Sequence, residues 1–183
     1  MNQAREILFA GLGGQGVLTC GLILAEVAVF NGWRATWSPS YGSAMRGGSA
    51  SCTVKYSDGE VYNPTQEEPD LLLAMNGTAL TQYGPLVRPG GTILVNGDLV
   101  KEGFFARPDL SIHVVPCSSL ARDIGQPRGA NVIMTGAVIR LLGDFSCADG
   151  VRGMNDMFRK KGKDKFEAGN TASFEAGYGA IAL

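Results

Sequence analysis

The chain has 183 residues, of which 45% are hydrophobic and 18% charged, with sixteen basic residues against seventeen acidic ones. That length suits one domain with its own core, and the near balance of charge leaves no field to hold a nucleic-acid backbone or an anionic membrane. A charged fraction below the roughly 25% of a typical soluble domain leaves surface to be covered by other protein.

Glu6 to Ala10 is a short apolar run ending in a glycine cluster, and Val17 to Phe30 carries apolar residues at helical spacing. Asn31-Gly32 stops that helix, and Arg34 to Trp37 reads as a second strand parallel to the first. Ser38 to Gly48, rich in glycine, serine and proline, reads as a loop; Ser51 to Tyr56 reads as a strand, with Val61-Tyr62 as its hairpin partner across the Ser57–Glu60 turn. Leu71 to Met75, Thr92 to Val95 and Ile112 to Val115 are apolar runs of the kind found in strands covered on both faces. Helices are expected at Thr78 to Tyr83, Ser118 to Ile124 and Asn131 to Leu142, followed by a helical tail from Val151 to Leu183 interrupted by glycine. With no repeat or linker, residues 1–183 read as a single three-layer α/β/α domain with a mixed, mostly parallel sheet.

Cys20, Cys52, Cys117 and Cys147 form no C-x-x-C pair that would grip zinc or an iron–sulfur cluster locally, so buried thiols are expected. The first residues lack the pattern of a signal peptide, and no uncharged apolar run reaches the roughly 18 residues of a membrane span. A cytoplasmic location is expected.

Gly11-Leu12-Gly13-Gly14-Gln15-Gly16 satisfies G-x-G-x-x-G between a strand and a helix, where glycines permit a tight turn and the helix start offers amides to an anion. A dinucleotide site adds an acidic side chain at the end of the second strand, about 20 residues on. Here that strand ends Thr36-Trp37-Ser38-Pro39, with no carboxylate. A glycine turn that merely packs helix on sheet is the competing reading. In the loop Pro39 to Gly48, Arg46 beside Gly47 and Gly48 places a guanidinium where backbone can approach a phosphate or carboxylate; a solvated arginine in a glycine turn is the alternative.

Taken together, GLGGQGVLT at Gly11–Thr19, PSYGSAMRGGSASC at Pro39–Cys52, SDGE at Ser57–Glu60, Pro69-Asp70 before an apolar strand, NxxxxGA at Asn131–Ala137 and the Asn170–Ala172 segment resemble, in order, the gamma subunit of 2-oxoacid:ferredoxin oxidoreductases. The resemblance implies a complex in which thiamine diphosphate, held by alpha and beta subunits, decarboxylates a 2-oxoacid. Iron–sulfur clusters then pass electrons to ferredoxin, and coenzyme A receives the acyl group. It implies a subunit that is inactive alone, binds no cofactor by itself, and packs against alpha and beta subunits, and a delta subunit where one exists. Gly11, Gly13, Gly14, Gln15, Gly16, Tyr41, Arg46, Gly47 and Gly48 are the positions expected at the coenzyme A entrance. The family loop commonly carries proline-glutamate where this chain has Ser43 and Ala44, so whatever contact that glutamate serves is not carried over to Ala44. The residues around RGG look more like the 2-oxoglutarate and branched-chain members than the pyruvate ones.

His113, the only histidine, reads as a packed or edge residue of a strand and not as a base. Arg152, Arg159, Lys160, Lys161, Lys163 and Lys165 read as a solvated helix end, with an acidic partner or coenzyme A phosphates as alternatives. Two further readings of the whole chain are a stand-alone nucleotide-binding or regulatory module and a homodimeric scaffold. An isolated chain is expected to self-associate.

Overall fold

The computed structural model describes residues 4–182 except 42–46, 62, 64, 66, 102, 104 and 106. Six strands, β1 (Arg5–Leu12), β2 (Arg34–Tyr41), β3 (Ser49–Ser57), β4 (Leu71–Ala74), β5 (Thr92–Asn96) and β6 (Ser111–Val115), form one sheet in the order β2-β3-β1-β4-β5-β6. The β1–β4, β4–β5 and β5–β6 pairs are parallel, while β3 runs antiparallel to both β1 and β2. The expected mixed, mostly parallel α/β sheet is present. The first two strands do point the same way, but they are not neighbours, because β3 is inserted between them.

The helices are α1 (Val17–Phe30), α2 (Gly77–Tyr83), α3 (Cys117–Asp123), α4 (Ala130–Leu142), α5 (Cys147–Lys160) and α6 (Glu167–Gly179). Strand periodicity sorts the core into two layers. Ile7 and Phe9 of β1 and Cys52, Val54 and Tyr56 of β3 share one apolar cluster with α1, α3, α4, α5 and α6. Leu8, Ala10, Leu72, Ala74, Ile93 and Val95 face the other way, under α2. The second layer is thinner, and over β3 it becomes polar: Ser51, Thr53 and Lys55 are buried there. Lys55 is held by Glu6 at 3.1 Å and Glu67 at 2.9 Å.

Glycines set the helix packing. At Gly21 a Cβ would stand 2.4 Å from Cys52 Sγ, so α1 can lie close on β3 only because that side chain is missing. A Cβ on Gly177 would meet the Ile133 carbonyl oxygen at 1.8 Å, and one on Gly136 the Phe174 oxygen at 2.1 Å, so α4 and α6 touch backbone to backbone. Gly153, Gly169 and Gly177 of the tail are therefore contact points within intact helices. The break expected there falls only after Lys160, where Gly162 takes a φ of 65° between α5 and α6.

Three other expectations are corrected. Residues Ser38–Tyr41 extend β2 and are not loop; Pro39 is accommodated because β2 is an edge strand, where a missing N–H costs little. Val61 lies outside any strand and Tyr62 falls outside the described residues, so the hairpin partner is not seen. β6 is the opposite edge, with Ile112 and Val114 exposed, because among the described residues nothing comparable to α2 covers that end of the second face.

Candidate functional site

The connection after β1 passes through α1 on one face toward β2 and β3, and the connection after β4 passes through α2 on the other face toward β5. The chain thus diverges between β1 and β4, and the crevice at their carboxyl ends is the topological switch point where open α/β sheets place ligands. Here the crevice is bridged by side chains. Gln15 Oε1 accepts the Leu12 N–H at 2.7 Å and Asn76 Nδ2–H at 2.9 Å, and Asn76 Oδ1 in turn accepts the Ala79 N–H and caps α2.

Each glycine of the turn has its own part. Gly11 is buried inside β1, where a Cβ would stand 2.7 Å from Gln15 Oε1 and 2.9 Å from Val17 Cγ1. Gly14 turns the chain with a φ of 102° and is exposed. Gly16 is the N-cap of α1 with a φ of 76°, and a Cβ there would collide with the Asn131 side chain at 2.7 Å. Gly13 donates its N–H to the Gly48 carbonyl at 2.8 Å, and Gly47 returns its N–H to the Gly13 carbonyl at 3.4 Å. The β1–β3 ladder, which pairs Leu12 with Ser49, thereby runs on into both loops.

Three segments far apart in sequence converge at one point: the Gly11–Gly16 turn, Gly47-Gly48, and Asn131 at the start of α4. Cys20 Sγ donates to the Asn131 carbonyl at 3.2 Å, and Thr135 Oγ1 donates to it at 2.9 Å, holding that residue against α1. Gly16 offers no capping side chain and no acidic residue lies in the first turn of α1, so among the described residues its amides present the positive end of a 14-residue helix. Tyr41 belongs by its backbone to β2, opposite Ala50. The Tyr41 side chain and all of Arg46 and Ala44 lie outside the described residues.

Two residues of this arrangement, Asn76 and Asn131, are not among the positions expected at the site, although Asn131 opens the NxxxxGA motif. Asn76 was legible as an N-cap, an asparagine between an apolar strand and Gly77-Thr78-Ala79. Asn131 carried no local signal of contact with Gly16, since only the α1–α4 packing brings them together.

A dinucleotide reading does not fit this geometry. The ribose-binding acid is expected on the strand after α1, lying parallel beside β1, but β2 is separated from β1 by the antiparallel β3, and the Gly13 amide is already paired with Gly48.

The family model for pyruvate ferredoxin/flavodoxin oxidoreductase matches residues 6–180. The chain belongs to this family. Among curated members, it is 37% identical over 176 residues to the ketoisovalerate oxidoreductase subunit VorA of Methanothermobacter marburgensis, covering 94% of this chain and 35% of that one. It therefore spans about a third of that longer relative's length. The 2-oxoglutarate synthase subunit KorC of the same organism is 33% identical over 179 residues, covering 94% of both chains. The crystal structure of a keto/oxoacid ferredoxin oxidoreductase gamma subunit from Geobacter sulfurreducens superposes with a TM-score of 0.80 at 29% identity, over 96% of this chain and 97% of that one. Within the pyruvate ferredoxin/flavodoxin oxidoreductase family, then, the gamma-subunit fold is reproduced end to end.

The four thiols are dispersed through this fold. Cys20, Cys52 and Cys117 are buried and Cys147 is half-buried. Burial pushes the first three up to about 12, well away from the thiolate form. Lys161, Lys163 and Lys165 are exposed in the turn beyond the end of α5, while His113 sits in the middle of edge strand β6.

Proposed function

We propose that this chain is the gamma subunit of a cytoplasmic, coenzyme A-dependent 2-oxoacid:ferredoxin oxidoreductase, inactive alone, and that it forms part of the coenzyme A entrance. The observation that carries this reading is the Gly13–Gly48 hydrogen bond, which joins the two glycine loops beside the uncapped start of α1. An anionic group at that point would meet helix amides and approach glycine backbone closely. Gly11, Gly13, Gly14, Gln15 and Gly16 build this surface, Gly47 and Gly48 form its second wall, and Tyr41 and Arg46 flank it in sequence. Gly11 and Gln15 contribute by shaping the turn; the exposed Gly14 and Gly47 are the positions open to a ligand.

Thiamine diphosphate and iron–sulfur clusters supply decarboxylation and electron transfer in the complex, on the alpha, beta and any delta subunits, with ferredoxin as acceptor. The likeness to KorC and VorA supports 2-oxoglutarate or a branched-chain 2-oxoacid as substrate. A stand-alone nucleotide module is the alternative; the occupied Gly13 amide and the antiparallel β3 between β1 and β2 argue against it.

The test is co-purification with the alpha and beta subunits followed by coenzyme A-dependent viologen reduction over several 2-oxoacids. Arg46→Ala is expected to raise the KM for coenzyme A by roughly 10-fold or more, as loss of a charge-assisted hydrogen bond does, while leaving the thermal midpoint in place. Arg46→Lys recovers part of the loss. Wild-type kinetics in Arg46→Ala would remove the loop from the entrance.

A further inference from the structure

The turn between α5 and α6 carries Lys161, Lys163 and Lys165, all exposed, and Phe166 directly before α6 is 51% exposed. Arg128, also exposed, reaches the same place from the turn before α4: with Lys165 and Phe166 it lines a cleft of about 360 Å³ that also includes Gly129 and Asn170.

Two cations of this region are accounted for locally. Arg159 and Lys160 lie in the last turn of α5, where they offset the helix dipole, and they pair with Glu167 at 3.3 Å and Asp156 at 2.7 Å. Lys161, Lys163, Lys165 and Arg128 enter no ion pair among the described residues. Asp164 is the only carboxylate within residues 161–166, and residues 126–131 around Arg128 hold none. Four cations against one carboxylate leave an excess of three positive charges here, on a chain whose formal net charge is -1. Lys165 Nζ rests 5.1 Å from the centre of the Phe166 ring, so its local partner is an aromatic face.

A solvated helix end explains charges in the last turn of one helix. It does not explain cations gathered from two separate turns around an exposed aromatic ring. That pattern matches the anatomy of a protein-docking site, an apolar anchor point with a charged rim. We propose that the α5–α6 turn is a docking surface for an acidic protein segment. Partner carboxylates meet Lys161, Lys163, Lys165 and Arg128, and an apolar partner side chain packs on Phe166. The uncapped start of α4 at Gly129 adds positive potential to the same cleft. This surface uses none of the residues assigned to the coenzyme A entrance and does not rest on that assignment.

The test is fluorescence anisotropy on the full chain with a labelled oligoglutamate peptide carrying one central leucine, and with the same peptide carrying serine there. The leucine peptide should bind saturably and lose affinity with added salt. Lys161→Glu/Lys163→Glu/Lys165→Glu should weaken it by about tenfold, the combined effect of several exposed charge pairs. Phe166→Ala should weaken the leucine peptide several-fold and leave the serine peptide unchanged. Should Phe166→Ala lower the thermal midpoint, the comparison of leucine and serine peptides on the wild-type chain decides alone. Equal binding of the two peptides by the wild type, or an unaltered affinity in the triple variant, would overturn the proposal. Competition by tripolyphosphate together with equal peptide binding would assign the patch to small anions instead.

Discussion

Gly13 donates its N–H to the Gly48 carbonyl at 2.8 Å, and Gly47, with a φ of 77°, closes the second contact by donating its own N–H to the Gly13 carbonyl. No heavy atom of the described residues lies within 4 Å of a Cβ built on Gly47, so Gly47→Ala tests backbone conformation rather than packing against them. A non-glycine residue in the left-handed region costs about 1–2 kcal/mol. The expected result is a thermal midpoint lower by a few degrees, read by calorimetry, together with a raised KM for coenzyme A in the assembled complex. An unchanged midpoint would mean that the turn relaxes freely and does not hold the two loops.

The α4–α6 contact predicts a contrast between two glycines of one helix. Gly177→Ala drives a methyl into the Ile133 carbonyl, and the helices must separate, so a loss at or beyond the upper end of the roughly 1–3 kcal/mol overpacking range is expected. A Cβ on Gly179 meets nothing within 4 Å, so Gly179→Ala should be neutral or stabilising by up to about 1 kcal/mol through helix propensity. Urea denaturation of both variants measures the difference. Similar midpoints would contradict the close packing.

Lys55 and Glu6 are a buried pair, each side chain 6% exposed. Lys55→Met leaves the Glu6 carboxylate without its cation and should cost roughly 3–5 kcal/mol, whereas Lys55→Met/Glu6→Leu should restore much of that. The pH dependence has a definite sign. Burial pulls the Lys55 ammonium down, but Glu67 and Glu6 outweigh it and hold it above the ordinary lysine value of 10.5. A raised folded-state value contributes stability that is complete below the unfolded value and is lost as pH rises through the folded one. Melting of the wild type should therefore show this loss only on the alkaline side of 10.5, and Lys55→Met/Glu6→Leu should lack it.

The thiols should react in a fixed order. Cys20, Cys52 and Cys117 are buried and pushed up to about 12, while Cys147 is raised by burial and by Glu175 but remains half-buried. With iodoacetamide at mildly alkaline pH, mass spectrometry should find Cys147 modified first in the native chain and all four cysteines modified after denaturation. Early modification of Cys20 would show that α1 opens readily.

Edge strand β6 carries exposed Ile112 at 39% and Val114 at 51%, and no Asp, Glu, Lys or Arg interrupts it. An uncharged apolar edge is a template for pairing with another strand. The isolated chain should self-associate on concentration, and Val114→Lys should shift it toward monomer in light scattering without lowering the thermal midpoint. Association unaffected by Val114→Lys would place the contact elsewhere.

Much of the fold was legible in order along the chain because it depends on local pattern. Alternation and apolar runs marked β1, β3, β4 and β5, and helical spacing with Asn31-Gly32 marked both ends of α1, since each of these signals acts over a few residues. The family motifs were legible for the same reason. What the sequence could not decide was adjacency. The insertion of β3 between β1 and β2 follows from long-range pairing, and it turned a pattern that matches a dinucleotide turn into one whose Gly13 amide is already bonded to Gly48. The meeting of Gly16 with Asn131, the Gln15–Asn76 bridge across the switch point and the use of Gly136 and Gly177 as helix contacts were likewise decided only by packing. A glycine in sequence shows that a side chain is absent, and the tertiary structure alone shows which neighbour occupies the space.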